Sequence, residues 1–244
     1  FMELERLKDF DALTFDCYGT LIDWESGMVA GLAPLVRQLD PQPSRNAILE
    51  AHAFQESTHQ RQTPTKKYSD LLATVYRRIG ETWGLTPSWE AAQVYGRSVP
   101  HWPAFSDSAA ALASLRQHYK LVILSNVDNE SFAGANARLG VDFDAIYTAE
   151  DIGSYKPHDR NFDYMIAQLA ARGIEKSRIL HVAESLFHDH VPATRHGLAT
   201  CWIYRRHDQE GFGATMDPGK RPEVDFQFNS MAAFAAAVAQ AHTV

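Results

Sequence analysis

Cysteine is nearly absent: Cys17 and Cys201 are the only two in 244 residues. Two are too few for a disulfide framework, and neither lies in a CxxC or Cys/His pattern of the kind that binds zinc. That usage predicts the cytoplasm as the compartment. Long hydrophobic runs are missing too, since no window approaches the roughly 18 uninterrupted apolar residues that a membrane helix needs. Basic residues are in deficit, 23 Lys and Arg against 30 Asp and Glu, which leaves a formal net charge of -7. Nucleic acid and anionic membrane surfaces are poor partners for such a chain, because phosphate binding draws its affinity from accumulated Lys and Arg. Any anionic substrate must then be attracted by a local site rather than by the molecule as a whole. Internal repeats and low-complexity tracts are absent as well.

What is present is a globular composition, 45% hydrophobic and 22% charged, on a chain long enough for a large core with an insertion. Short apolar runs at Ala12–Phe15, Leu121–Leu124, Ala145–Tyr147, Ile179–Val182 and Cys201–Tyr204 read as buried parallel strands. Between them, Asp107–His118, Glu130–Leu139, Arg160–Arg172 and Met231–Gln240 read as helices, several of them one-sided, which makes an α/β pattern. From Trp24 to about Trp102 no strand-like run occurs, and helical spacing repeats at Leu32, Leu35, Val36, Leu39 and at Leu72, Val75, Tyr76, Ile79. The expected organisation is a Rossmann-like parallel-sheet core over residues 1–23 and 100–244, with a helical cap over 24–99 inserted after the first strand.

Asp16 follows the first strand, within Phe15-Asp16-Cys17-Tyr18-Gly19-Thr20. In an open parallel sheet a carboxylate at a strand's carboxyl end faces the crevice where ligands bind; an Asp opening a turn before Gly19 is the plainer alternative. Three further motifs follow in order: Leu124-Ser125-Asn126 closing the next core strand, Ser154-Tyr155-Lys156-Pro157, and an acidic loop after a strand with Glu184 and Asp189 five apart. Four such motifs on the correct elements resemble the haloacid dehalogenase superfamily, and Tyr18 two residues after Asp16 is similar to its 2-haloacid dehalogenase branch.

That resemblance implies the HAD fold and the hydrolysis of short 2-haloalkanoic acids through an ester on Asp16, without a cofactor. It implies that Lys156 keeps Asp16 ionised, Thr20 holds the Asp16 loop, and Asp189, or failing it Glu184, activates water. Tyr18, Ser125 and Asn126 would contact substrate. The branch carries a Tyr where this chain has Phe162, and its cap supplies an Arg to the halide that Leu49–Gln55 lacks, leaving His52 or Arg61 as substitutes; a His pocket would suit a small halide such as fluoride. A magnesium-dependent phosphatase is the competing expectation, with the metal held by Asp16 and the acids of the fourth motif. Against it, Tyr18 replaces the Asp that would protonate a leaving alkoxide. Hydrolysis of another activated 2-substituted acid, and a silent carboxylate binder that dimerises through the cap, complete the alternatives. Cys17, a rival nucleophile, is expected on the strand face opposite Asp16. His181, His188, His190 and His196 invite a metal reading, but neighbours such as His188 and His190 are not expected to converge.

Overall fold

The computed structural model describes residues 3–243. Six strands, β1 (Ala12–Phe15), β2 (Lys120–Ser125), β3 (Ala145–Thr148), β4 (Ile179–Ala183), β5 (Ala199–Ile203) and β6 (Phe226–Phe228), form one sheet. Its order is β3-β2-β1-β4-β5-β6, with every neighbouring pair parallel. Such a sheet is covered on both faces, which is why its strands are apolar at consecutive positions. Alternation along β2 divides the core: Leu121 and Ile123 pack in one cluster, Val122 and Leu124 in another on the opposite face.

Ten α-helical segments complete the fold among the described residues. The insertion between β1 and β2 begins with four of them: α1 (Trp24–Val36), α2 (Arg45–Gln62), α3 (Tyr68–Thr82) and α4 (Trp89–Gly96). Leu71, Leu72, Val75, Tyr76 and Ile79 give α3 a continuous buried stripe, and α3 and α4 approach closely because Gly96 has no side chain: a Cβ there would lie 2.2 Å from the Ser69 carbonyl oxygen. The two crossings between cap and core run side by side, with Ile22 bridged to Ala104 and the Asp23 N–H donating to the Pro103 oxygen at 2.8 Å. In the core, α5 (Ser108–Leu115), α6 (Asn129–Leu139) and α10 (Met231–His242) contribute to the first cluster. The second cluster takes Ile152 from α7 (Ala149–Ile152), Phe162, Met165 and Leu169 from α8 (Asp159–Ala171), and Ala193 from α9 (Val191–Arg195). β6, which sequence reading does not find, is only three residues long, too short for alternation to register. Among the described residues no helix is long and apolar enough to cross a membrane.

Candidate active site

β1 is central, and the order of strands reverses beside it, so its carboxyl end is the topological switch point at which an open α/β sheet binds ligands. Asp16 stands there, 6% exposed, its N–H donating to the Val182 oxygen of β4 at 3.1 Å. The chain then turns sharply, with the Leu21 N–H donating to the Cys17 oxygen at 2.7 Å. The turn needs a glycine at position 19, where φ is +96° and a Cβ would meet the Trp24 indole nitrogen at 2.8 Å. It brings Thr20 back over the strand, where its hydroxyl donates to Asp16 Oδ2 at 2.8 Å and accepts the Glu184 N–H at 2.9 Å.

The other Asp16 oxygen meets Lys156, itself only 1% exposed. Lys156 Nζ donates to Asp16 Oδ1 at 3.1 Å, Asp189 Oδ1 at 2.8 Å and the Leu124 oxygen at 2.8 Å, which engages all three of its protons. Burial would lower its pKa, but the two carboxylates more than offset that and hold it above the usual lysine value. Asn126 fixes the lysine's backbone from both sides, donating from Nδ2 to the Lys156 oxygen at 2.9 Å and accepting its N–H on Oδ1 at 2.7 Å. Behind Asp189 stand His181, 2.8 Å away through Nε2, and Thr14, 2.7 Å from His181 Nδ1. Burial lowers the His181 pKa, so the neutral ring donates from Nε2 to the carboxylate and accepts the Thr14 hydroxyl at Nδ1. Despite burial, Lys156 and His181 hold Asp189 well below the ordinary carboxylate range. Asp16 behaves otherwise: burial pushes it up to about 6 against the pull of Lys156 and Thr20, so it is still a carboxylate, and hence a nucleophile, at neutral pH.

Above this floor the cap closes. Asp16, Lys156, Tyr18 and His188 from the core share with Glu56 and Tyr68 from the cap a cavity of only about 20 Å³, room for little more than one water molecule. As it stands, the cavity is too small for a molecule of several heavy atoms.

Residues 10–186 match the family model described as haloacid dehalogenase-like hydrolase. The chain belongs to the haloacid dehalogenase-like hydrolases. The solved structure of the L-2-haloacid dehalogenase from Xanthobacter autotrophicus with chloropropionic acid covalently bound is similar to this hydrolase with a TM-score of 0.76 at 19% identity, over 94% of this chain and 98% of that one. The magnesium-bound HAD-hydrolase YfnB from Bacillus subtilis superposes with a TM-score of 0.71 at 16% identity, over 94% and 99% of the two chains. Pyrimidine 5'-nucleotidase YjjG of Escherichia coli (strain K12) is 34% identical over 71 residues, which is 29% of this chain and 31% of that protein.

Several residues expected at the site of this hydrolase lie elsewhere. His52 is fully buried within the cap, with Nε2 2.7 Å from the Tyr95 hydroxyl, and does not line the Asp16 cavity. Arg61, bonded to Ser57 Oγ at 2.7 Å, does not line the Asp16 cavity but faces an outer crevice between cap and core that Lys156 also borders. Phe162 is a core residue: it opens α8 on the face that carries Met165 and Leu169, and its ring packs edge-on against His181. Glu184 contributes its backbone to Thr20 and lines a neighbouring pocket with Glu25 and Arg206, its carboxyl within electrostatic reach of Asp16 as well. Burial, with Glu25 adding to it, holds that carboxyl well above the ordinary range. Ser125 sits where expected, at the end of β2, buried with its hydroxyl unpartnered. Tyr18 packs edge-on against Trp102 and reaches the Ser131 oxygen at 3.3 Å. Cys17 is buried, and burial drives its thiol far above the usual range, which makes it inert.

Five cavity residues lie outside the expected set, Trp24, Glu56, Tyr68, Val127 and His188, the last read from sequence only as part of a histidine cluster. Glu56 lies one helical turn beyond His52 on α2, and no motif marks it. His188 faces the cavity because residues Leu186–His190 form one turn of π-helix, a local widening that spacing alone does not reveal. For a divalent cation the donor set does not fit: among the described residues no three His, Cys, Asp or Glu side chains are grouped to hold a metal.

Proposed function

We propose that this hydrolase removes halide from short 2-haloalkanoic acids, giving 2-hydroxy acids through an ester on Asp16. The observation that carries the reading is the floor of the cavity: an ionised Asp16 held by Thr20 and by a buried lysine shared with Asp189, with Tyr18, and no carboxyl acid, two residues along. An Asp16 oxygen attacks C2, the C2–halogen bond breaks, and the halogen leaves with the bonding pair. Lys156 supplies the local attraction for the substrate carboxylate that the net charge of -7 withholds. Water then adds to the Asp16 carboxyl carbon and the ester C–O bond of the acyl group breaks, so the product hydroxyl keeps an Asp16 oxygen. Asp189 takes the water's proton on Oδ2, its one oxygen without a hydrogen-bond donor, and returns it to the departing alkoxide oxygen, which becomes the product hydroxyl. The chloropropionate covalently bound in the similar Xanthobacter autotrophicus dehalogenase supports the same covalent course.

Magnesium-dependent phosphate-ester hydrolysis is the second reading, favoured by the local match to the nucleotidase and by the likeness to the magnesium-bound hydrolase from Bacillus subtilis. Chloride release from (S)-2-chloropropionate in EDTA separates the two. Release, together with a 1-carboxyethyl ester on the Asp16 peptide of enzyme quenched during turnover, is expected. No chloride from the pure protein, alongside magnesium-dependent cleavage of a phosphate monoester, would refute the proposal.

A further inference from the structure

Backside displacement sends the leaving group away from the attacking oxygen. Asp16 attacks from the core, so a halide bound at this site departs toward the cap. Cationic side chains are the usual acceptors of a departing anion, yet none from the cap lines the cavity; the cap's contributions include a carboxyl, Glu56, 2% exposed. Tyr68 donates its hydroxyl to Glu56 Oε2 at 2.8 Å, leaving Oε1 for another partner. The basic group beside it, His52 Nδ1 at 3.8 Å, brings no charge, because burial lowers that imidazole to about 3. Ionised, Glu56 would face a carboxylate nucleophile, an anionic substrate and a departing anion with no counterion of its own, an arrangement a buried site tolerates poorly. Carrying a proton, the same side chain becomes a donor aimed at whatever leaves Asp16.

Building on the dehalogenase reading, we propose that protonated Glu56 is the hydrogen-bond donor the cap presents to the departing halide. The proton stays on Glu56 throughout: the Asp16–C2 bond forms, the C2–halogen bond breaks, and the halide leaves as an anion held by the Glu56 O–H. Burial supports this by pushing Glu56 up to about 7, against the Tyr68 hydrogen bond that favours its charged form. The groups facing it are His52 on its own helix; Tyr68 and Tyr95 from α3 and α4; Tyr155, Asp16, Lys156, Tyr18 and His188 from the core. His188 is lowered to about 4, while burial holds Tyr18, Tyr68, Tyr95 and Tyr155 above their ordinary value and Lys156 is raised as well. Asp16 at about 6 supplies the acid limb of activity, which leaves Glu56 for the alkaline one.

The test is kcat/KM for chloride release from (S)-2-chloropropionate between pH 5 and 9, with bromide binding read in parallel by quenching of tryptophan fluorescence, Trp24 being part of the cavity wall. In wild type both fall above pH 7, approaching tenfold per pH unit as expected for one ionisation. Glu56→Gln, which keeps an acceptor for Tyr68 and a donor for the halide, removes that alkaline fall. Tyr68→Phe withdraws the bond that favours the charged form and moves the fall to higher pH. An alkaline limb unchanged in both variants, or bromide binding in wild type that ignores pH, overturns the donor role. If wild type releases no chloride but its bromide affinity falls above pH 7 and that of Glu56→Gln does not, the dehalogenase reading fails and the donor role stands.

Discussion

Replacing Lys156 with Met tests the electrostatics of the floor most directly. Methionine fills a similar volume without charge, so packing is largely preserved while all three Nζ hydrogen bonds disappear. Asp16 and Asp189 are then left buried with no cation between them, and breaking a buried ion pair from one side costs about 3–5 kcal/mol. For a chain of this size about 1 kcal/mol moves Tm by roughly 2–4 °C, so the variant is expected to melt roughly 10 °C lower at pH 8. The penalty also has a pH signature. In wild type Asp189 titrates below its unfolded value because of Lys156 and His181, and its contribution is present above that value. Without the lysine both carboxylates titrate above their unfolded values, so the variant gains stability as they protonate and loses it as pH rises through their folded pKa values. Urea unfolding at pH 5 and pH 8 measures the gap, which should be several kcal/mol at pH 8 and clearly smaller at pH 5. A difference below about 1 kcal/mol at pH 8, or one equal at both pH values with m unchanged, would refute the account of Lys156 as the charge that makes the floor tenable.

Two other substitutions separate the remaining roles. Asp189→Asn keeps an acceptor for Lys156 but no general base, so the ester should form and persist; mass spectrometry should find the Asp16 adduct at near-stoichiometric level after one burst of halide, and its absence with full steady-state turnover counts against Asp189. Phe162→Ala should cost about 3–5 kcal/mol of stability, as for a buried aromatic truncated in a core, with KM for the 2-haloacid unchanged; a raised KM with intact stability would return Phe162 to the substrate pocket.

Which residues were legible in the sequence follows from how each is positioned. Asp16 and Ser125 stand at or just beyond the carboxyl ends of β1 and β2, where a strand's end fixes a side chain's place, so motif order suffices. Lys156 is similarly tied, because Asn126 clamps its backbone to the end of β2. The roof is different. His52 and Glu56 are one turn apart on α2, and which of them meets Asp16 depends on how that helix is rolled over the core, a tertiary choice invisible to periodicity. Six residues after Lys156 the chain is already inside α8, and its apolar stripe carries Phe162 away from the pocket. His188 and Asp189 are adjacent in sequence, yet the π-turn puts one against the cavity and the other under the floor.

The lysine's three bonds all end on core atoms: two carboxylates and a strand carbonyl. No cap residue is needed to aim the nucleophile, so opening the cap for exchange of substrate and product leaves the reacting charge assembled and spares the enzyme any reorganisation of the floor at each cycle. Reactivity and selectivity thus reside on separately movable parts, and a different roof laid over this floor would present the same attacking oxygen to a different molecule.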